Sequence, residues 1–234
     1  MRVQYDVMVQ EFARVLEKKG FRREDAESAA VIFAQNSLAG VFSHGLNRFP
    51  RVVSYLEKGE IDPDARATCE MSMGAIERWD GHRGFGPLNA KRAMDRACEL
   101  AKEYGIGCVA LGNNNHWMRG GTYGWLAAEN GCIGICWSNT MPNMPAWGGA
   151  DRKIGNNPLI MAVPRSNGEH AMVDCAVSQS LTERLKTVVC AVCSFRFRVD
   201  MTQRENSQQI RQRLRKHGAY FRWDIGREVD FLLC

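Results

Sequence analysis

No run of 18 uncharged apolar residues occurs anywhere in the 234-residue chain, and a helix needs about that length to cross a bilayer. The opening stretch, MRVQYDVMVQEF, has neither the basic nor the apolar region of a secretory leader. No membrane partner is expected, and the cytoplasm is the expected compartment. The nine cysteines are scattered and odd in number, so reduced thiols rather than disulfides are expected there. A dinucleotide fingerprint is missing too. Gly81-His82-Arg83-Gly84-Phe85-Gly86 has the wrong spacing, and Gly105 to Gly112 has only the first two glycines in place. Either the protein is no nicotinamide enzyme, or its cofactor site is not built as in a Rossmann fold. Cys190-Ala191-Val192-Cys193 has no second pair to complete a four-ligand zinc site, and no metal is expected. Neither an internal repeat nor a low-complexity linker is visible.

The net charge of +5 is distributed unevenly. Residues 1–179 hold 20 Lys+Arg and 20 Asp+Glu, whereas residues 180–234 hold 11 and 6. All the excess lies in the last quarter of the chain. A change that sharp requires its own explanation.

Apolar spacing predicts helices over Asp6 to Lys19, Arg23 to Leu38 and about Leu46 to Lys58. Residues 1–60 therefore read as an N-terminal helical segment. After Pro63 short β-like pieces begin, such as Ala75 to Asp80. A long helix follows over Leu88 to Tyr104, with Gly105 as its stop. Apolar strands then recur at Cys108 to Leu111, Cys132 to Trp137, Leu159 to Val163 and Ala171 to Cys175. Strands alternating with helices indicate an α/β or mixed α+β architecture over residues 61–179.

Two polar clusters could carry chemistry. His44 lies in Phe42-Ser43-His44-Gly45-Leu46-Asn47-Arg48, where a helix start gathers free N–H groups and Arg48 can fork onto a carboxylate. The alternative is that Ser43 caps the helix and His44 is merely exposed on the turn. Asn113-Asn114-Asn115-His116-Trp117-Met118-Arg119-Gly120-Gly121 follows a buried strand, the usual place for a ligand-binding loop. It could equally be turn chemistry, with the asparagines in left-handed geometry and Trp117 plugging the core. Trp137-Ser138-Asn139-Thr140 and Gly155-Asn156-Asn157-Pro158 read as turns.

Read in order, FSHGLNRFP, GAIERWDG, NNHWMRGGTYGW, GICWSNT, IGNNPLI and MVDCA resemble successive motifs of the 2,3-diketo-L-gulonate reductases of the malate/L-lactate dehydrogenase-like family. The resemblance covers residues 1–179. It implies a non-Rossmann NAD-binding fold with a mixed sheet and a helical domain, a homodimer at full length, and reduction of a small keto acid of the sugar-acid type by NADH or NADPH. By the same resemblance, His44 is the catalytic proton donor, His116 lies at the substrate, and Arg48 is the arginine near it. The cofactor-binding segment corresponds to His170, Ala171, Met172, Val173, Asp174, Cys175 and Ala176. The stretch Arg165 to Ala171 is about two residues longer than the family pattern. Such chemistry suits these residues, because an alkoxide formed by hydride delivery must gain a proton and an imidazole can supply it near neutral pH.

The resemblance stops at Gln179. Back-translation of the tail in a shifted frame can hide Ser-Tyr-Gly-x-Leu-Glu under Ser180 to Leu185, Leu-Pro-Val-Pro-Gly-Gly-Tyr-Asp under Cys193 to Thr202, and Pro-Met-Gly-Tyr-Trp-Glu-Gly-Ser-Gly under Arg222 to Asp230. All three are family-like, in order and in one frame. The expectation is that residues 180–234 are an out-of-frame tail on a truncated, inactive reductase. The rival reading takes Arg211 to His217, with Tyr220, Phe221 and Trp223, as a basic nucleic-acid-binding module, or the chain as a small interaction protein. No recognised binding module frames that run, and no nucleic-acid partner is expected.

Overall fold

The computed structural model describes residues 3–140, 142–146, 150–177 and 229–233. The chain divides into two compact units, one made of Met1–Ser138, Pro158–Cys175 and Arg227–Cys234, the other of Asn139–Asn157 and Ala176–Gly226.

The first unit opens with α1 (Tyr5–Lys18), α2 (Arg23–Leu38) and, after a 3-10 turn at Phe42–His44, α3 (Phe49–Glu57). Gly20 ends the first helix at φ +95°, a conformation that costs glycine little. The inner face of α2 carries Ala26, Ala29 and Ala30, all fully buried. Their small size lets α1 approach closely, and Phe33 fills the space beyond them. Its ring lies 5.8 Å from that of Phe12 and 5.1 Å from that of Phe49. Burying such a side chain contributes roughly 1.5–3 kcal/mol. The same apolar cluster takes in Phe85, Leu88 and Met118, so the helices share a core with the parts of the chain that follow.

The third helix begins at Phe49, later than its apolar spacing suggests. Pro50, in its first turn, sets the start, because a missing N–H costs nothing there. Residues 45–48 are left as a turn.

β1 (Thr68–Met73) and β2 (Ile76–Asp80) form an antiparallel hairpin closed at Gly74. α4 (Gly86–Tyr104) then crosses to β3 (Cys108–Gly112), which pairs parallel with β2. α5 (Gly121–Glu129) leads to β4 (Gly134–Asn139). β5 (Met144–Pro145) and β6 (Arg152–Ile154) pair with each other in the second unit. β7 (Pro158–Val163), β8 (Ala171–Ala176) and β9 (Val229–Leu233) complete a seven-stranded sheet of order β1-β2-β3-β9-β4-β7-β8. β9 lies antiparallel to β3, and β4 antiparallel to β7. The sheet is therefore mixed, as the family resemblance implies, and not the parallel sheet of a doubly wound fold. Its core sets Ala90, Ala93, Met94 and Ala97 of α4 against Val109, Leu111 and Ile160.

Two elements escape the periodicity reading. TCEMSM of β1 alternates Cys69, Met71 and Met73 with polar residues, but it is exposed along its whole length, so the alternation marks no buried face. GTYGWLAAE of α5 contains two glycines and looks like a loop, yet both are required. A Cβ on Gly121 would lie 2.4 Å from Asp174 Oδ2, and one on Gly124 2.6 Å from the Ile160 side chain.

In the second unit, Thr140 organises the turn before Pro158. Its hydroxyl accepts the Asn156 N–H at 2.6 Å, and a Cβ on Gly155 would meet its carbonyl oxygen at 2.1 Å. The Cys190 and Cys193 pair, the basic run 211–217 and all of the tail except β9 lie outside the described residues. Among the described residues no helix is long and apolar enough to cross a membrane.

Candidate active site

His44 ends the 3-10 turn, and the backbone around it is held against α2. Ser37 Oγ donates to the Phe33 carbonyl and accepts the Leu46 N–H at 2.9 Å. Asn36 Nδ2 donates to the His44 carbonyl at 3.1 Å. The approach is so close that a Cβ on Gly45 would lie 2.3 Å from Ser37 Oγ. Glycine in the Ser-His-Gly motif is thus a packing requirement. Ser43 does not cap the helix that follows. Its hydroxyl instead hydrogen-bonds His44 Nδ1 at 2.9 Å.

The asparagine-rich loop divides into scaffold and site. Asn113 adopts φ +50° and donates to Asp80 at 2.9 Å. Asn114 Oδ1 accepts from the fully buried Asn89 at 3.1 Å. Asn115 Nδ2 reaches the Arg83 carbonyl at 2.6 Å. Trp117 is buried and stacks on Tyr123, with centroids 5.3 Å apart. These residues build the turn and plug the core, and in doing so they present His116. Met118, at φ +70°, turns its N–H back onto His116 Nδ1 at 2.9 Å.

The two histidines meet. Their ring centroids are 5.8 Å apart, with planes tilted by 32°. Beside them is a small recess lined by Arg48, Tyr55, Asn115 and His116 on its polar side and by Val52 and Phe85 on its apolar side. Lost hydration pushes the His116 pKa well below the usual histidine value, and the cations Arg48 and Arg51 and the neighbouring His44 push it the same way. His116 is therefore neutral near pH 7. Since Nδ1 accepts a backbone N–H, its single proton sits on Nε2.

The segment His170 to Ala176 forms β8 and the residue before it, and β8 is the outermost strand of the sheet among the described residues. The His170 ring lies 5.0 Å from that of Trp125, and its Nδ1 accepts the Arg165 N–H at 3.2 Å. Asp174 takes a 3.0 Å hydrogen bond from Arg119 Nε at the start of α5. Met172 packs into the core, while Ala171, Val173 and Cys175 lie on the exposed face of β8. Missed by the sequence reading are the residues that hold His44 from behind, namely Asn36, Ser37 and Thr122, whose hydroxyl donates to Asn36 Oδ1 at 3.2 Å. Polar residues at the end of an otherwise alanine-rich helix were the available signal.

The described residues thus combine a mixed sheet with an imidazole pair and an arginine beside a small recess. The chain matches the malate/L-lactate dehydrogenase family over residues 3–188, and it belongs to that family. It is 54% identical over 178 residues to the 2,3-diketo-L-gulonate reductase of Pasteurella multocida (strain Pm70), a match that spans 76% of this chain and 53% of that protein. The same enzyme of Haemophilus influenzae is 52% identical over the same shares. The crystal structure of malate dehydrogenase from Entamoeba histolytica superposes with a TM-score of 0.78 at 33% identity, over 82% of this chain and 54% of that one. The chain thus spans about half the length of the curated relatives it matches.

Proposed function

We propose that the protein serves the reduction of a 2-keto acid of the sugar-acid type by NADH, with NADPH as the alternative donor. The substrate class comes from relatives named for 2,3-diketo-L-gulonate. The observation that carries the reading is the contact of His44 with His116 beside a recess lined by Arg48. When bound, the cofactor supplies the hydride. Arg48 holds the substrate carboxylate through its planar fork. His116 donates a hydrogen bond from Nε2 to the carbonyl oxygen and keeps its proton, since protonating Nδ1 would break the Met118 hydrogen bond. His44, oriented at Nδ1 by Ser43, delivers the proton that the alkoxide needs.

The segment His170 to Ala176 suits one end of a nicotinamide cofactor. Val173 is 54% exposed and offers an apolar surface for a ring. β8 is the outermost strand of its sheet among the described residues, so its backbone can pair with a carboxamide. Asp174, engaged by Arg119, fixes the strand on α5. The full-length enzyme is assigned to the cytoplasm as a homodimer.

Residues 180–234 are read as an out-of-frame tail, a reading supported by the hidden family motifs. The test of function follows from this. The gene with one base restored after codon 179 should yield a protein that oxidises NADH when 2,3-diketo-L-gulonate is added. Absence of turnover with that acid and with simpler 2-keto acids would remove the assignment.

A further inference from the structure

We infer that Arg51 is a second substrate-binding residue, which together with Tyr55 takes the oxygen-bearing end of the acid opposite the carboxylate held by Arg48. The inference rests on the reading of this recess as the substrate site.

Arg51 lies in the first turn of α3, three residues beyond Arg48 at the N-cap of that helix, a spacing that makes the two side chains neighbours. Its Nε donates to Tyr55 Oη at 2.6 Å, and its guanidinium carbon sits 5.4 Å from the centre of the Tyr55 ring. Tyr55 itself lines the recess beside Arg48 and His116. Among the described residues, that is the only hydrogen bond the Arg51 guanidinium makes, and it uses the inner nitrogen. The two terminal nitrogens are left for a ligand. Arg51 is also one of the charges that hold His116 neutral, so its field reaches the reacting end of the site.

The arrangement has a chemical consequence. One arginine suffices to fix a single carboxylate. A second guanidinium three residues further on, already oriented by a cation–π contact and a hydrogen bond, loses little freedom on meeting a ligand oxygen. It is of use only to an acid carrying a second anionic or carbonyl oxygen beyond the reacting carbon. Simple 2-hydroxy and 2-keto monoacids leave it unused. Tyr55 and Arg51 therefore set specificity, while Arg48 sets affinity for the carboxylate common to all such acids.

The test uses two acids that differ only by one carboxylate, glycolate and tartronate, titrated calorimetrically into the 234-residue chain. The wild type should prefer tartronate. Arg51→Gln should lower tartronate affinity roughly tenfold, the scale of one lost charge-assisted hydrogen bond, with glycolate within about twofold of wild type. Arg51→Lys should recover part of the preference, and Tyr55→Phe should lose part of it with Arg51 still present. Equal loss for both acids in Arg51→Gln would make Arg51 a general field or structural residue and overturn the inference, as would no change for either. If the wild type binds neither acid, the substrate-site reading itself fails and this inference with it.

Discussion

His116 accepts the Met118 N–H through Nδ1 while its ring stands 5.8 Å from that of His44, so the two imidazoles are not equivalent. One is locked in a single tautomer by the backbone. The other is held through Ser43, whose hydroxyl can serve either protonation state of the ring.

That difference supports the proposal that His44 is the acid. In the frame-restored enzyme, His44→Ala should lower kcat by roughly 10²–10⁴-fold, the usual scale of general acid catalysis, with little change in cofactor binding. Steady-state kinetics with 2,3-diketo-L-gulonate checks this. Near-normal kcat would transfer the role of acid to His116.

Arg48→Lys should chiefly raise KM for the acid and leave kcat less affected, because a point charge cannot reproduce a bidentate fork. The comparison of kcat and KM on the same substrate decides it.

The neutral state of His116 makes stability depend on pH. Its folded pKa lies below the unfolded value of about 6.5, so below that pH the unfolded chain binds more protons than the folded one. The contribution is fully present above pH 6.5 and is lost as pH falls from there toward the folded pKa. The slope is at most about 1.4 kcal/mol per pH unit for this one group. Urea unfolding between pH 5 and pH 7.5 should show a shallower acid-side slope in His116→Asn, whose side-chain oxygen can still accept the Met118 N–H. Identical slopes would mean that His116 titrates normally.

Gly86→Ala tests the seat of His116. Alanine favours a helix over glycine by about 1 kcal/mol, yet a Cβ here would lie 2.1 Å from the Asn115 carbonyl oxygen and 2.5 Å from that of His116. Overpacking of this kind costs about 1–3 kcal/mol. The variant should therefore be less stable in urea than the wild type, against its helix propensity.

For the tail, sequencing of the gene around codon 180 and past codon 234 should reveal family-like sequence in the alternative frame. An early stop or unrelated sequence there would end the out-of-frame reading. The 234-residue chain should also bind NADH more weakly than the micromolar range, as read by calorimetry.

The amino-acid order by itself determined most of the helices and the strands with an apolar face. Arg23 to Leu38 could be read to the residue, and Gly105 marked the end of α4. It also picked out His44, Arg48 and His116, because their motifs are local in the chain. Spacing alone left open whether the asparagines of residues 113–115 were ligands or turn residues. Only the tertiary structure decided that, by placing Asn89, Asp80 and the Arg83 carbonyl against them. It alone brought together two histidines separated by more than seventy residues and set the His116 tautomer through a backbone N–H. β1 and α5 were hidden for the same reason. Their stability comes from pairing with β2 and from glycine contacts to β7 and β8, and no local pattern records a partner that lies elsewhere in the chain.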